Sequence, residues 1–261
     1  MADAATHFRL QRIDTRVGPV ALVTIDNGAD WRKPNTFGRE ALESLGDVLE
    51  RLRTRDWRGL LLTGKPLVFA AGADIDEFPG ITADTAREAG RAGHDLFGRL
   101  RELPFVTVAA LNGAALGGGV EIALHCDYRT ISSSVRHFAC PEVFLGIVPG
   151  WGGTQRLARV CGIGVAKDLI FTGRTVDAEE ALRIGLVNAI ADPVLEHALG
   201  VAQELAAKSP VALALAKRLV NLAPGALEAE VEGFGELFAS EDAKEGLAAF
   251  VDKREPRFTG R

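Results

Sequence analysis

The chain has 261 residues, 47% apolar and 25% charged, with a net charge of −5 and a pI near 5.6. These values fit an ordinary globular chain able to bury a large core without covalent staples, and they leave no basic footprint for nucleic acid or an anionic membrane surface. Three cysteines (Cys126, Cys140, Cys161) form no paired framework, MADAATHFRLQRID has no secretory pattern, and no apolar run is long enough for a bilayer, so a cytoplasmic setting is expected.

Residues 20–26 (VALVTID) predict a buried strand, followed by a turn-rich loop at 27–38 that carries Trp31, Arg32 and Lys33. Leu42, Leu45, Val48, Leu49 and Leu52 recur at helical spacing over 36–55. GLLLTG (59–64) and LVFAAG (67–72) predict two strands joined through Lys65 and Pro66. A loop with a helical turn at 73–81 and a helix over 82–102, closed ahead of Pro104, come next. Residues 105–154 predict strand 105–111, a turn, a short helix 118–126, strand 128–134, a short strand around Phe138 and a turn of helix after Pro141. Gly162 and Gly164 interrupt the chain before a helical segment to Thr172, and Asp177 with Glu180 forms a capping-box pattern opening a helix to about Ile184. From 193 onward the pattern is helical only, near 195–205, 211–222, 225–239 and 241–252. The expectation is an α/β core over 1–192 and a helical region over 193–261.

The residues that attract chemistry lie in 105–154. Glu121 sits in GGGVEIALHCD with no basic residue nearby, and Glu142 follows Pro141 and opens the apolar run VFL. An ionised carboxylate is costly to bury unless it is paired or hydrogen-bonded. Each has a plain reading too: Glu121 as a helix-surface residue, Glu142 as a first-turn glutamate behind an N1 proline. If Glu121 is buried and unpaired its pKa should rise, which suits acid–base work near neutrality. The triple glycine 117–119 fits either a simple strand-to-helix turn or a turn whose N–H groups hold an oxyanion. It is neither the dinucleotide fingerprint nor a phosphate loop. The five histidines (7, 94, 125, 137, 197) have no metal-binding spacing, Ser132–Ser134 lack a nucleophile-elbow context, and Cys126 and Cys140 read as small buried hydrophobes. Trp151 reads as packing or pocket wall.

Three blocks, FAAGADIDEF (69–78), NGAALGGGVEIALHCDYR (112–129) and CPEVFLGIVPGWGGTQRL (140–157), resemble the signature of the enoyl-CoA hydratase/isomerase, or crotonase, family. The resemblance continues through FTGRTVDAEEALRIGLVN (171–188), KSPVALALAKRLVN (208–221) and EGLAAFVDKREPRF (245–258), in order over nearly the whole chain. It implies an α/β fold, a superhelical spiral of ββα turns, with a helical C-terminal region that packs homotrimers, commonly paired into homohexamers. It also implies an acyl-CoA thioester substrate, no cofactor beyond the coenzyme A of that substrate, no metal, and no nucleic acid or membrane partner.

By the same resemblance, Ala73 and Gly118 supply the backbone N–H groups of the oxyanion hole, and Glu121 and Glu142 are the acid–base pair. The coenzyme A contacts are expected at Lys33, with Arg32 beside it, at Ala71, Gly72, Ala73, Asp74, Ile75 and Asp76, at Gly118, and at Phe250 and Lys253, which match tail residues that reach a neighbouring subunit's coenzyme A. Two departures stand out: Asp76 where relatives often carry lysine, and a longer loop before Pro34 with Trp31 in it. Both carboxylates together imply hydration of a trans-2-enoyl-CoA. The alternatives are a Δ3-Δ2 isomerase using one glutamate, a non-catalytic coenzyme A- or RNA-binding relative, and a scaffold subunit.

Overall fold

The computed structural model describes residues 5–29, 33–53, 56–222 and 224–261. β1 (His7–Thr15) pairs antiparallel with β2 (Gly18–Asp26), and α1 (Arg39–Arg53) follows. From there the chain repeats a single step. β3 (Gly59–Gly64) joins β2 in a large sheet, β4 (Leu67–Ala70) turns into a second sheet, and α2 (Ala83–Arg101) returns. β5 (Val106–Leu111), β6 (Gly113–Leu116) and α3 (Gly118–Ala123) repeat it, as do β7 (Tyr128–Ile131) and β8 (Phe138–Ala139) with α4 (Gly153–Cys161), α5 (Ile163–Thr172) and α6 (Ala178–Arg183). β9 (Ala189–Ile190) closes the large sheet, whose order is β1-β2-β3-β5-β7-β9, parallel from β2 onward; the small sheet is β4-β6-β8, all parallel. Each turn thus adds one strand to each sheet, which is the expected ββα spiral.

The large sheet is covered on both faces, which explains why GLLLTG is continuously apolar. Leu60 and Leu62 face the main core with Leu45, Leu49 and Leu52 of α1, while Leu61 faces a second core. That second core is closed by Val194, Ala198 and Ala202 of α7 (Val194–Ala206), so the first C-terminal helix packs directly on the sheet. α8 (Pro210–Val220), α9 (Leu227–Phe238) and α10 (Glu241–Asp252) follow. Lys217 of α8 ties them back, its Nζ 2.8 Å from Asp127 Oδ2 and donating to Phe105 O.

Four expectations needed correction. β1 was not anticipated, because the outermost strand of HFRLQRIDT buries only Phe8 deeply. α4 was not anticipated either, because it opens on two glycines, poor helix formers. The strand expected over 128–134 ends at Ile131, where the Ser132 and Ser133 hydroxyls turn to Asp192. The capping box is half formed: Asp177 accepts from Glu180 N–H, but the Glu180 carboxylate is held by Arg174 and Arg183.

Candidate active site

The site is assembled where three segments leave the small sheet. After β4, Ala71–Asp74 runs beside Phe37, and a single bridge there is closed by Phe37 N–H to Gly72 O (2.8 Å) and Asp74 N–H to Phe37 O (3.3 Å). Successive N–H groups of an extended segment point to opposite sides, so Ala73 N–H is directed away from this bridge. After β6, Gly117 caps α3 and leaves the N–H of Gly118, at the first helical position, without an intrahelical acceptor. The two turns are back to back. Gly72 has φ +88° and Gly117 φ +50°, and a Cβ on Gly72 would lie 3.1 Å from Gly118 N. Both therefore need glycine, and the close approach of Gly72 to Gly118 sets Ala73, the next residue of the chain, near the start of α3.

Glu121 lies on the buried face of α3, 2% exposed. It is not left unpaired: its Oε1 accepts from Trp151 N–H and Gly153 N–H, both at 2.8 Å. Burial raises its carboxyl above 4.5, and the Gly153 and Trp151 N–H groups oppose the rise. Glu142 follows β8 in a 3-10 turn, Glu142–Leu145. Its Oε2 is buried without a partner among the described residues. Burial pushes its carboxyl up to about 7, with the charge of Glu121 adding to the effect. A Cβ on Gly117 would lie 2.9 Å from Glu142 Oε1, which places this carboxyl against the glycine turn. The helix-surface reading of Glu121 is excluded by its burial.

Two donors without other acceptors among the described residues and two carboxylates held toward their neutral forms can stabilise charge on an oxygen while protons move nearby. Cys140 is buried beside this pair. Burial, then Glu142 and Glu121, drives its thiol well above the ordinary value, so it is an inert wall.

A cleft of about 570 Å³ opens at Ala73, lined also by Lys33, Ala71, Asp74, Ile75 and Asp76 among others, and Gly118 is not part of its wall. Most of the expected coenzyme A residues are thereby brought together, with Gly72 among them in sequence. The cleft also carries Glu40 and Glu77, an acidic rim on which Asp76 is one carboxylate of several. Arg32 and Trp31 lie outside the described residues. Phe250 and Lys253 are not at this cleft: they sit at the end of α10, exposed, and α10 packs against α9. A second cavity, about 690 Å³, lies between α10 and the tail, where Arg254 and Glu245 pair with each other.

Sequence reasoning missed the partners of Glu121. The sequence draws attention to the ring of Trp151, whereas its backbone N–H binds the carboxylate and its indole Nε1 donates to Ala89 O of α2 at 3.1 Å. His125 has no metal-binding spacing, yet it is one helical turn past Glu121 and its Nδ1 meets Glu121 O at 2.8 Å. The four-residue spacing was the available signal.

The sequence profile described as Enoyl-CoA hydratase/isomerase matches residues 16–261. The chain is 42% identical over 246 residues to the short-chain-enoyl-CoA hydratase of Clostridium acetobutylicum, covering 91% of this chain and 93% of that protein. It is 41% identical over 207 residues to the crotonyl-CoA hydratase of Syntrophomonas wolfei, covering 76% and 79%. The crystal structure of an enoyl-CoA hydratase from Bacillus anthracis superposes with a TM-score of 0.87 at 33% identity, covering 98% of this chain and all of that one.

Proposed function

The chain belongs to the enoyl-CoA hydratase/isomerase family, and from that membership we propose that it is a hydratase adding water reversibly to trans-2-enoyl-CoA thioesters to give 3-hydroxyacyl-CoA. The observation that carries the reading is the pairing of Glu121 and Glu142, two carboxylates raised by burial beside the N–H groups of Ala73 and Gly118. The thioester oxygen binds between those two donors. Ionised Glu121 takes a proton from water, whose oxygen adds to Cβ. The electron pair of the double bond moves to the thioester oxygen as an enolate. Neutral Glu142 then delivers its proton to Cα as the enolate collapses. Glu121 then loses its proton to solvent and Glu142 takes one up, which restores the starting pair, and dehydration runs the same steps backward. Each donor to the enolate oxygen contributes about 3–4 kcal/mol to the transition state. The residues carry every proton themselves, so the reading requires no cofactor or metal.

Coenzyme A lies along the cleft at Lys33 and Ala71–Asp76. Residues 193–261 carry oligomerisation: Leu227, Val231, Phe234 and Phe238 of α9 and Phe250 of α10 are exposed, an apolar surface suited to a homotrimer or homohexamer. In that assembly Phe250 and Lys253 reach a neighbour's coenzyme A. Among the described residues no helix is long and apolar enough to cross a membrane. We place the chain in the cytoplasm, with its described cysteines as free thiols, and expect no retention of RNA.

The test is loss of the conjugated thioester absorbance of crotonyl-CoA, with Glu121→Gln and Glu142→Gln alongside. Each variant should lose at least about a hundredfold in kcat. The isomerase alternative needs only Glu142, whose Oε2 has no partner among the described residues, but Glu121 takes both amides on Oε1 and so leaves its own Oε2 open for water as well. If Glu121→Gln keeps full turnover of a 3-enoyl-CoA and wild type leaves crotonyl-CoA untouched, isomerisation is the activity.

A further inference from the structure

Helix α3 carries Glu121, whereas its two amide donors belong to the turn that opens α4. Something must fix these elements against each other. His125, 4% exposed, stands between them. Its Nδ1 is 2.8 Å from the carbonyl of Glu121, and its Nε2 is 2.7 Å from Arg156 Nε on α4. Arg156 also donates to Leu124 O at 3.3 Å, and its own N–H is bonded to Gly152 O. The imidazole packs so closely on the Gly152 turn that a Cβ there would lie 3.0 Å from His125 Cε1. Phe97 of α2 closes the other side, its ring edge-on at 5.4 Å.

This arrangement fixes the tautomer. A guanidinium can only donate, so Nε2 must accept; a carbonyl can only accept, so Nδ1 must carry the hydrogen. The groups facing the ring oppose a second proton. Burial pulls the imidazole down to about 3, helped by Arg156 and by Arg101 and His94, while the Glu121 carbonyl acts the other way. His125 is therefore neutral and of one tautomer over the working range of the enzyme.

We propose that His125 is a positioning residue: as the Nδ1–H tautomer it clamps the helix bearing Glu121 to the Gly152 turn and so sets the two amide bonds that tune that carboxylate. The inference rests on the reading of Glu121 as an acid–base group. Those amide bonds hold the Glu121 carboxyl down against burial, so loosening the clamp raises it. The acid limb of kcat/KM, below which Glu121 is protonated in the free enzyme, then moves to higher pH. His125 is not among the groups that shift the other titratable neighbours of the site, Glu142 and Cys140, which feel the change only through the charge of Glu121.

Two variants separate the bonds from the ring's bulk. His125→Leu fills the space with neither bond, and His125→Asn keeps a donor where Nδ1 stood. His125→Leu is expected to lower kcat at least about tenfold with KM within about threefold and to raise the acid limb by about half a pH unit or more, and His125→Asn to recover most of both. A folded His125→Leu enzyme with the wild-type limb, or equal losses in both variants, overturns the proposal. Nitrogen-15 spectra of histidine-labelled wild type need no variant to fold: the buried imidazole should show Nδ1–H with Nε2 bare from about pH 5 to 9, and a titrating ring or the other tautomer overturns it. Glu121→Gln run in parallel separates the two readings. Full turnover there defeats the acid–base role of Glu121, whereas an inactive Glu121→Gln beside an unperturbed His125→Leu defeats only the clamp.

Discussion

Replacing Glu142 with glutamine is expected to have two opposite effects, loss of turnover and a gain in stability, the gain appearing only where the acid would ionise. Burial, with the charge of Glu121 adding, pushes the Glu142 carboxyl from 4.5 up to about 7, and its Oε2 is buried without a partner among the described residues. The folded chain thus binds this proton more tightly than the unfolded chain, and stability falls as pH rises from 4.5 to about 7 and is flat beyond. At about 1.4 kcal/mol per tenfold the full rise is worth roughly 3 kcal/mol. Glu142 is only part-buried, and solvent screening reduces this to about 1–2 kcal/mol. Glutamine has nearly the same shape and no charge. Urea unfolding at matched protein concentration should show the variant about 1–2 kcal/mol more stable near pH 8 and equal to wild type near pH 4.5. An equal difference at both pH values, or a variant less stable near pH 8, would refute the account of a buried, strained carboxylate.

Adding water to an enoyl thioester changes no charge, so its equilibrium constant does not depend on pH and kcat/KM must follow the same bell in both directions. Its alkaline limb is expected near pH 7, where Glu142 loses its proton; a kcat/KM that stays flat from about pH 6 to 9 would rule out Glu142 as the acid. Gly118→Ala would set a Cβ 2.7 Å from the Trp151 ring and displace the donor turn, with kcat expected to fall about a hundredfold or more. The matched control, Gly200→Ala on α7, meets nothing within 4 Å and should keep wild-type kcat. Lys217→Met removes the 2.8 Å pair with Asp127 and the bond to Phe105 O, for an expected loss of about 2–3 kcal/mol in a denaturant titration with kcat unchanged.

The apolar runs of β2, β3 and β5 announced themselves because both faces of the large sheet are buried, and the α1 leucines because one face of a surface helix is. What stayed hidden has physical reasons. β1 alternates weakly because it is an edge strand. α4 begins on Gly152, which takes a positive φ, and Gly153, which presents its N–H to the Glu121 carboxylate, rather than on residues that favour a helix. For the site, Glu121 and Glu142 stood out as charges in apolar company. Their partners did not, since Trp151 and Gly153 act through backbone N–H groups that carry no side-chain signature. His125 carried only its spacing, which became meaningful once α3 and α4 were seen to touch through Arg156.

The placement of the site follows from the small sheet. Its three parallel strands, β4, β6 and β8, come from consecutive turns of the spiral, and each is followed at its C-terminal end by one part of the site. β4 leads to Ala73, β6 to Gly118 and Glu121, and β8 to Glu142. Parallel alignment puts these three ends on one edge, the general location of sites in parallel sheets. The strands are short, two to four residues each, so ladder bonds alone hold their register weakly. Close backbone packing supplies the rest: a Cβ on Gly119 would lie 2.3 Å from Ala70 O, so α3 sits directly on the end of β4. A one-residue slip of β6 against β4 would turn Gly118 N–H away from Ala73 N–H and carry Glu121 off the Gly152 turn together. Donor geometry and acid–base tuning are thus set by one register, and a substitution that shifts it disables both at once.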